Sequence, residues 1–106
     1  MTAAPMAVAP YARHAVDESE LVDEWLKAIG GELAKARSDK GISQKDMADR
    51  LELGRSTVSK IERGLNPTFP NYLRYAIDLD VDFAVIAARA RLIVKTRDID
   101  DSLLEV

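Results

Sequence analysis

The chain has 106 residues, 47% hydrophobic and 31% charged, which fits one folded domain with a modest core and excludes a two-domain enzyme with a deep cleft. It contains no cysteine, so disulfides and thiolate metal sites are excluded, and no apolar run approaches the roughly 18 residues of a membrane-spanning helix. The net charge of −3, taken alone, argues against nucleic-acid binding.

Residues 1–16 are rich in alanine and proline and show no helical period, which predicts a flexible N-terminal arm. The arm lacks the basic region and apolar core of a secretory signal. Arg13 and His14 could touch a DNA groove or a partner, although a solvated tail is the simpler interpretation. A single histidine in a tail predicts neither a metal site nor a catalytic base.

Residues 17–40 are expected to be helical, either as one long helix or as two helices broken near Gly30 and Gly31. Apolar residues recur at helical spacing, and Asp17 followed by Glu20 is typical of a helix start. Each glycine costs about 1 kcal/mol in a helix relative to alanine, so we expect a kink or a close helix contact at the glycine pair.

Residues 41–64 have the pattern of two short helices joined by a tight turn. Ser43 is expected to cap the first helix, and the turn is placed at residues 52–54. The second helix is expected at residues 55–63, and Gly64 ends it. Its inner side is apolar and its outer side is polar and basic, which is the layout of a DNA-reading helix-turn-helix.

Two more helices are expected after the turn. Thr68 is a plausible cap for a helix that reaches about Leu79, and Asp82 for a helix that follows it. After Arg91 the apolar residues could continue the helix or form a strand. Because this segment lies outside a core that the earlier helices complete, we expect residues 84–106 to mediate dimerisation or partner binding.

The charge is unevenly distributed along the chain. Residues 1–29 carry two basic and five acidic side chains, residues 30–79 carry nine and seven, and residues 80–106 carry four and six. DNA affinity depends on the charge presented locally to phosphates, so the positive middle region is compatible with DNA binding. The acidic flanks predict a moderate affinity that is sensitive to salt.

The chain resembles the Cro/lambda-repressor-like helix-turn-helix family, also called the xenobiotic-response-element family, over residues 29–83. The resemblance rests on features at fixed spacing: Arg37, Gly41, Ser43, Gln44, Ala48, Leu51, Val58, Ile61, Glu62, Gly64, Asn66, Pro67 and residues 79–81. Members are five-helix DNA-binding domains, commonly repressors that bind palindromes as homodimers. The resemblance implies an all-α, lambda-repressor-like fold at residues 30–83. An additional helix at residues 17–29 would precede it, and a helical or part-strand extension at residues 84–106 would follow.

The resemblance also implies roles for individual side chains. Three residues match the positions that reach base edges: Arg55, Ser56 and Lys60. Seven are candidates for phosphate contacts: Ser43, Gln44, Lys45, Thr57, Ser59, Arg63 and Asn66. Arginine and lysine favour guanine through its O6 and N7 acceptors, so we expect at least one G·C pair per half-site. Arg37 and Glu62 match the family's partly buried ion pair, which gives Glu62 a structural role.

Two positions depart from the family pattern. Glu52 stands where the turn usually has glycine, whose freedom at positive φ eases the bend. Gly54 stands where serine or threonine usually caps the second helix, although glycine is an acceptable cap. We therefore expect a shifted or strained turn, which affects the exact placement of Arg55.

The sequence favours a sequence-specific DNA-binding transcriptional regulator. We expect a homodimeric repressor that binds a palindromic operator. We expect it to be cytoplasmic, of bacterial or phage origin, and associated with the nucleoid. The alternative is an antitoxin, which shares this domain and adds a segment that blocks a toxin. A third hypothesis, a protein-interaction module without DNA binding, is opposed by Gln44 and the basic outer face. No metal, cofactor or catalytic constellation is predicted, so we expect no enzyme activity.

Overall fold

The computed structural model describes the backbone of residues 17–104 and the side chains of residues 17–95. The predicted arm, with Arg13 and His14, lies outside the described residues. Within them the chain forms five helices and no strand, which confirms the all-α prediction. The helices are α1 (Glu18–Asp39), α2 (Gln44–Leu51), α3 (Arg55–Glu62), α4 (Phe69–Leu79) and α5 (Phe83–Leu104).

The helix ends follow the capping chemistry of the sequence. Asp17 accepts a hydrogen bond from the Glu20 N–H (2.8 Å), and Ser43 accepts one from the Asp46 N–H (3.0 Å). Each bond satisfies a backbone donor that lacks a partner within its own helix. After α4, the Asp82 carboxylate accepts from the N–H of Ala84 (2.8 Å) at the start of α5. These caps fix where α1, α2 and α5 begin.

The glycine pair does not interrupt α1, which is one continuous helix. The additional N-terminal helix expected at residues 17–29 is therefore the first part of α1 and not a separate element. The expected close contact is present, because a Cβ atom on Gly30 would lie 2.2 Å from the backbone oxygen of Ile61. A Cβ on Gly64 would lie 2.4 Å from the backbone nitrogen of Lys27. Backbone therefore meets backbone where α1 crosses the end of α3.

The core lies between α1, α2, α3 and α4 and extends along α5. Its largest fully buried side chains are Tyr72, Tyr75, Leu33, Met47, Ile61, Leu79 and Val58. They come from α1, α2, α3 and α4. Apart from the long α1, these helices are too short to be stable individually, so the fold depends on their mutual burial.

The segment after Arg91 is helical, which resolves the choice between helix and strand. α5 packs along α1, and Val94 is only 3% exposed as part of the common core. This part of the extension therefore finds its apolar partner within the chain. Leu92 is 62% exposed, so one side of α5 presents apolar surface.

The two adjacent glycines give a matched test of the α1–α3 contact. Gly30→Ala should lower the free energy of unfolding by about 1–3 kcal/mol, because its methyl group would overlap backbone that cannot rotate away. Gly31→Ala should be neutral or stabilising by up to about 1 kcal/mol, since no heavy atom lies within 4 Å of its added Cβ. Urea unfolding measures both values, and equal shifts would contradict the contact.

Candidate nucleic-acid interface

The turn between α2 and α3 is tight and contains a strained residue. Glu52 adopts a left-handed conformation with φ of +57°, a region that costs a non-glycine residue on the order of 1–3 kcal/mol. The Leu53 N–H donates to the Ala48 carbonyl (2.9 Å), which closes the turn. Gly54 is the N-cap of α3 without a side-chain hydrogen bond, and α3 begins at Arg55 as predicted. The turn is thus strained but not shifted.

Helix α4 holds the end of α2 next to this turn. The Arg74 guanidinium donates to the Leu51 carbonyl (2.6 Å), one of the groups a helix end leaves without a partner. The Arg50 guanidinium donates to the Asp78 carboxylate (2.6 Å) and to the Asp78 carbonyl (3.2 Å). Sequence reasoning missed these contacts because the partners are 23 and 28 residues apart and follow no local spacing. They join the C-terminal end of α2 to α4 beside the strained turn.

The three predicted base-reading residues share the outer side of α3. Val58 and Ile61 are fully buried and fix the helix to the core. Arg55, Ser56 and Lys60 are exposed. Glu62 is the only acidic residue among residues 55–63, and its charge is paired with that of Arg37. The exposed surface of α3 is therefore positive, as contact with a DNA groove requires.

The N-terminus of α2 contributes three of the predicted phosphate ligands. Ser43 and Lys45 are exposed, and Gln44 is half-buried. The Lys45 ammonium lies 3.5 Å from the Asp49 carboxylate in a pair that is exposed on both sides. Such a surface pair is weak, so the lysine can exchange its partner for a phosphate. The N-terminal N–H groups of α2 also favour an anion at this place.

Three further candidates lie on α3 and at its end. Thr57 and Ser59 are half-buried, and Arg63 is exposed. The Arg63 guanidinium donates to the Ser59 hydroxyl (3.2 Å), so the arginine side chain folds back along α3. Ser59 and Arg63 therefore form one hydrogen-bonded pair at the C-terminal half of the helix.

Asn66 does not have the exposed position expected of a phosphate ligand. It is buried, and its side-chain oxygen accepts from the Thr68 N–H (2.8 Å) and from the Asn71 amide (3.4 Å). The Asn66 carbonyl accepts from the Tyr72 hydroxyl (2.9 Å). Thr68, the N-cap of α4, makes no side-chain cap bond of its own. Asn66 thus shapes the loop before α4, because its side-chain oxygen and its backbone carbonyl both accept hydrogen bonds from within the chain.

Arg37 and Glu62 form a bidentate ion pair at the junction of α1 and α3. The Arg37 Nε lies 2.7 Å from Oε2 of Glu62, and its Nη2 lies 3.1 Å from Oε1. The remaining Nη1 donates to the Ile42 carbonyl (2.7 Å). The side chains are 15% and 7% exposed, so the pair is largely shielded from water. A shielded charge requires such pairing, because desolvation would otherwise be costly.

Two further side chains complete this ion pair, and sequence reasoning missed both contacts. The Gln44 amide donates to Oε1 of Glu62 (2.9 Å), and the Tyr75 hydroxyl donates to Oε2. The helical pattern of α4 places residue 75 on the buried side, but no spacing rule pairs a buried hydroxyl with a given carboxylate. We call these four side chains, Arg37, Gln44, Glu62 and Tyr75, the Glu62 network.

The network shifts the protonation of its members. Burial favours the neutral form of Glu62, but hydrogen bonds from Arg37, Tyr75 and Gln44 outweigh it and hold the pKa of Glu62 below its usual value. Burial, and then the neighbouring carboxylate, raises the pKa of Tyr75. The hydrogen bond to Glu62 raises the pKa of Arg37. The network therefore holds one negative and one positive charge and a neutral hydroxyl near pH 7.

Two other features are absent from the described part of the chain, a membrane-spanning helix and a metal-binding cluster. None of its helices is long and apolar enough to cross a membrane. No group of three or more histidine, cysteine or acidic residues there could hold a metal ion.

A strained tight turn between two short helices, the second with a basic outer side, defines a DNA-binding protein of the helix-turn-helix class. A family model of the Cro/C1-type helix-turn-helix matches residues 33–86, so the chain belongs to that family and is a DNA-binding transcriptional regulator. The match begins within α1 and ends in the first turn of α5. A search of the curated proteins found no match to this chain.

The lowered pKa of Glu62 predicts how stability depends on pH. The carboxylate stabilises the fold at any pH above 4.5, its ordinary pKa, and this contribution is lost as the pH falls through the lower folded value. Glu62→Gln should therefore lower the free energy of unfolding by about 3–5 kcal/mol at pH 7, because Arg37 loses its counter-charge. The difference from the wild type should shrink below pH 4.5.

Urea unfolding at a series of pH values from neutral to strongly acidic measures this difference. Glu52→Gln is the matched control, since it removes the same charge from an exposed position and should change stability by no more than about 0.5 kcal/mol. A difference between wild type and Glu62→Gln that does not vary with pH would contradict an ionised carboxylate in the network.

Proposed function

We propose that this protein is a homodimeric repressor that binds a palindromic operator in the cytoplasm of a bacterium or its phage. The observation that carries the proposal is the outer side of α3, which presents Arg55, Ser56 and Lys60 while Val58 and Ile61 fix the helix to the core. In a dimer, the two copies of α3 would enter successive major grooves about 34 Å apart.

Within this proposal the side chains divide by the part of DNA they contact. Arg55 and Lys60 read guanine through O6 and N7, and Ser56 discriminates weakly. The phosphate ligands are Ser43, Gln44, Lys45, Thr57, Ser59 and Arg63. Asn66 is left out because its side chain is buried. Phosphate contacts position the protein, and base contacts specify the sequence.

The dimer is proposed to form through residues 84–106, most of which belong to α5. On α5, Val85 is 45% and Leu92 62% exposed. Burial of such apolar side chains between two copies would favour association. The residues 84–106 are therefore the proposed dimerisation extension.

The division of roles is tested by selecting DNA from a random pool with the purified protein. The wild type should enrich a split palindrome with at least one G·C pair per half-site. Lys60→Ala should change the preferred base, because lysine reads guanine directly. Gln44→Ala should weaken all sites alike without changing preference, since phosphates carry no sequence information.

Salt titration of the enriched site adds a second readout, because the affinity should fall steeply as several neutralised phosphates regain their counterions. Lys40→Ala is a control for charge, since this exposed lysine at the C-terminal end of α1 is neither a proposed DNA ligand nor part of the proposed dimerisation extension. It should leave the preferred sequence unchanged. No enriched sequence at low salt would contradict the proposed function.

An antitoxin remains the second candidate, because α4 presents a row of exposed apolar residues. Phe69, Leu73 and Ile77 recur every fourth residue, and Ile77 is 75% exposed. A contiguous apolar row is typical of a surface that a partner protein covers. Ile77→Ser should then abolish binding to a toxin encoded beside this gene and leave operator affinity intact. An unchanged affinity for that neighbouring protein would remove this candidate.

A further inference from the structure

We propose that Tyr75 is a positioning residue for DNA binding, which acts through Glu62 to hold the Gln44 amide ready for a phosphate. The inference rests on the proposed function, since it assumes that Gln44 is a phosphate ligand. Tyr75 is fully buried in α4 and lies within the core. The proposal therefore connects a core hydroxyl to the first residue of α2.

The Gln44 amide has a defined orientation in the free protein. Its nitrogen donates to Oε1 of Glu62 (2.9 Å), and an ionised carboxylate can only accept. The amide nitrogen, not its oxygen, must therefore face Glu62. An amide nitrogen carries two hydrogens, so one N–H remains for a second acceptor.

The place where this second N–H lies is suited to a phosphate. Gln44 is the first residue of α2, and the first N–H groups of a helix have no partner within the helix. The Ser43 hydroxyl accepts from the N–H of Asp46. The backbone N–H groups of Gln44 and Lys45 lie at the same helix end and have no partner within the helix. A phosphate here would receive the Gln44 side-chain donor together with these backbone donors.

The Glu62 carboxylate can hold Gln44 because all four of its acceptor positions are used. Oε1 accepts from Arg37 (3.1 Å) and Gln44 (2.9 Å), and Oε2 accepts from Arg37 (2.7 Å) and Tyr75. A carboxylate offers about four lone-pair sites, so the four donors fix its rotation. Without the Tyr75 hydroxyl, Oε2 regains a free site that the Gln44 amide can also occupy.

Orientation before binding matters because ordering a glutamine side chain opposes association. A side chain that is already held loses less conformational freedom when the phosphate arrives. The lowered pKa of Glu62 keeps the acceptor charged at neutral pH, which strengthens the bond from Gln44. Tyr75 thus contributes to affinity without touching DNA.

Tyr72 provides a matched control on the same helix. It is also fully buried, but its hydroxyl donates to the Asn66 carbonyl (2.9 Å) and not to Glu62. Tyr72→Phe and Tyr75→Phe each remove one buried hydroxyl and keep the ring. A general loss of core stability should therefore affect both variants, whereas loss of Gln44 orientation should affect only Tyr75→Phe.

The test is a double-mutant cycle with Gln44→Ala on the operator selected by the wild type, at a temperature where every variant is folded. Tyr75→Phe should weaken binding about 3- to 10-fold when Gln44 is present and less than about 2-fold in the Gln44→Ala background. Tyr72→Phe should change affinity by the same factor in both backgrounds. Nuclear magnetic resonance of the free protein should show the Gln44 side-chain amide signals moving in Tyr75→Phe only.

The outcomes separate the inference from the proposed function. If Tyr75→Phe has the same effect in both backgrounds, or if the Gln44 amide signals do not move, Tyr75 is structural and the positioning role is overturned. If Gln44→Ala does not weaken binding, the positioning role is overturned while base reading by Lys60 stands. If the wild type selects no DNA sequence, the proposed function itself fails.

Discussion

The buried Glu62 carboxylate is the interaction on which the arrangement of the helices depends. It belongs to α3 and accepts from Arg37 of α1, Gln44 of α2 and Tyr75 of α4. A charge that is 7% exposed is tolerated only when it is paired and hydrogen-bonded. The carboxylate is satisfied only if these four helices keep their relative positions. One side chain therefore couples the orientation of α3 to the rest of the core.

This coupling matters because α3 has little stability of its own. It is eight residues long, and its N-cap makes no side-chain hydrogen bond. It is fixed instead by buried apolar residues, by the close backbone contact at Gly30, and by Glu62 at its last position. The strained Glu52 turn is held from the other side by Arg50 and Arg74, which bind α4 and α2 together. The result is a helix fixed on a scaffold at several points, which is the arrangement that the proposed base reading requires.

Local chemistry predicted the parts of the fold that depend on neighbouring residues. The caps at Asp17 and Ser43 follow from side chains that satisfy nearby backbone donors, and the start of α3 follows from the apolar pattern. Tertiary packing decided the rest. The cost of two glycines in α1 is outweighed by the contact that Gly30 allows, and the ambiguous residues after Arg91 are helical because α1 is long enough to cover Val94. Periodicity shows which side of a helix is buried, but not which buried polar atoms pair. Periodicity therefore could not predict that Asn66 is buried or that the Tyr75 hydroxyl binds the Glu62 carboxylate.

Part of the negative charge of this chain, whose net charge is −3, lies far along α1 from the contact with α3. Glu18 and Asp23 are exposed on α1 and precede Gly30, the contact with α3, by 12 and 7 residues. At 1.5 Å per residue they lie about 18 and 10 Å along the helix from that contact. Both distances exceed the Debye length of about 8 Å at physiological salt, so the interactions of these two acids with charges near the α1–α3 contact are largely screened. In the proposed complex the positive side of α3 would face the phosphates directly, so its charges would be screened much less. For the proposed DNA binding, the charge that α3 presents locally is therefore more relevant than the total charge.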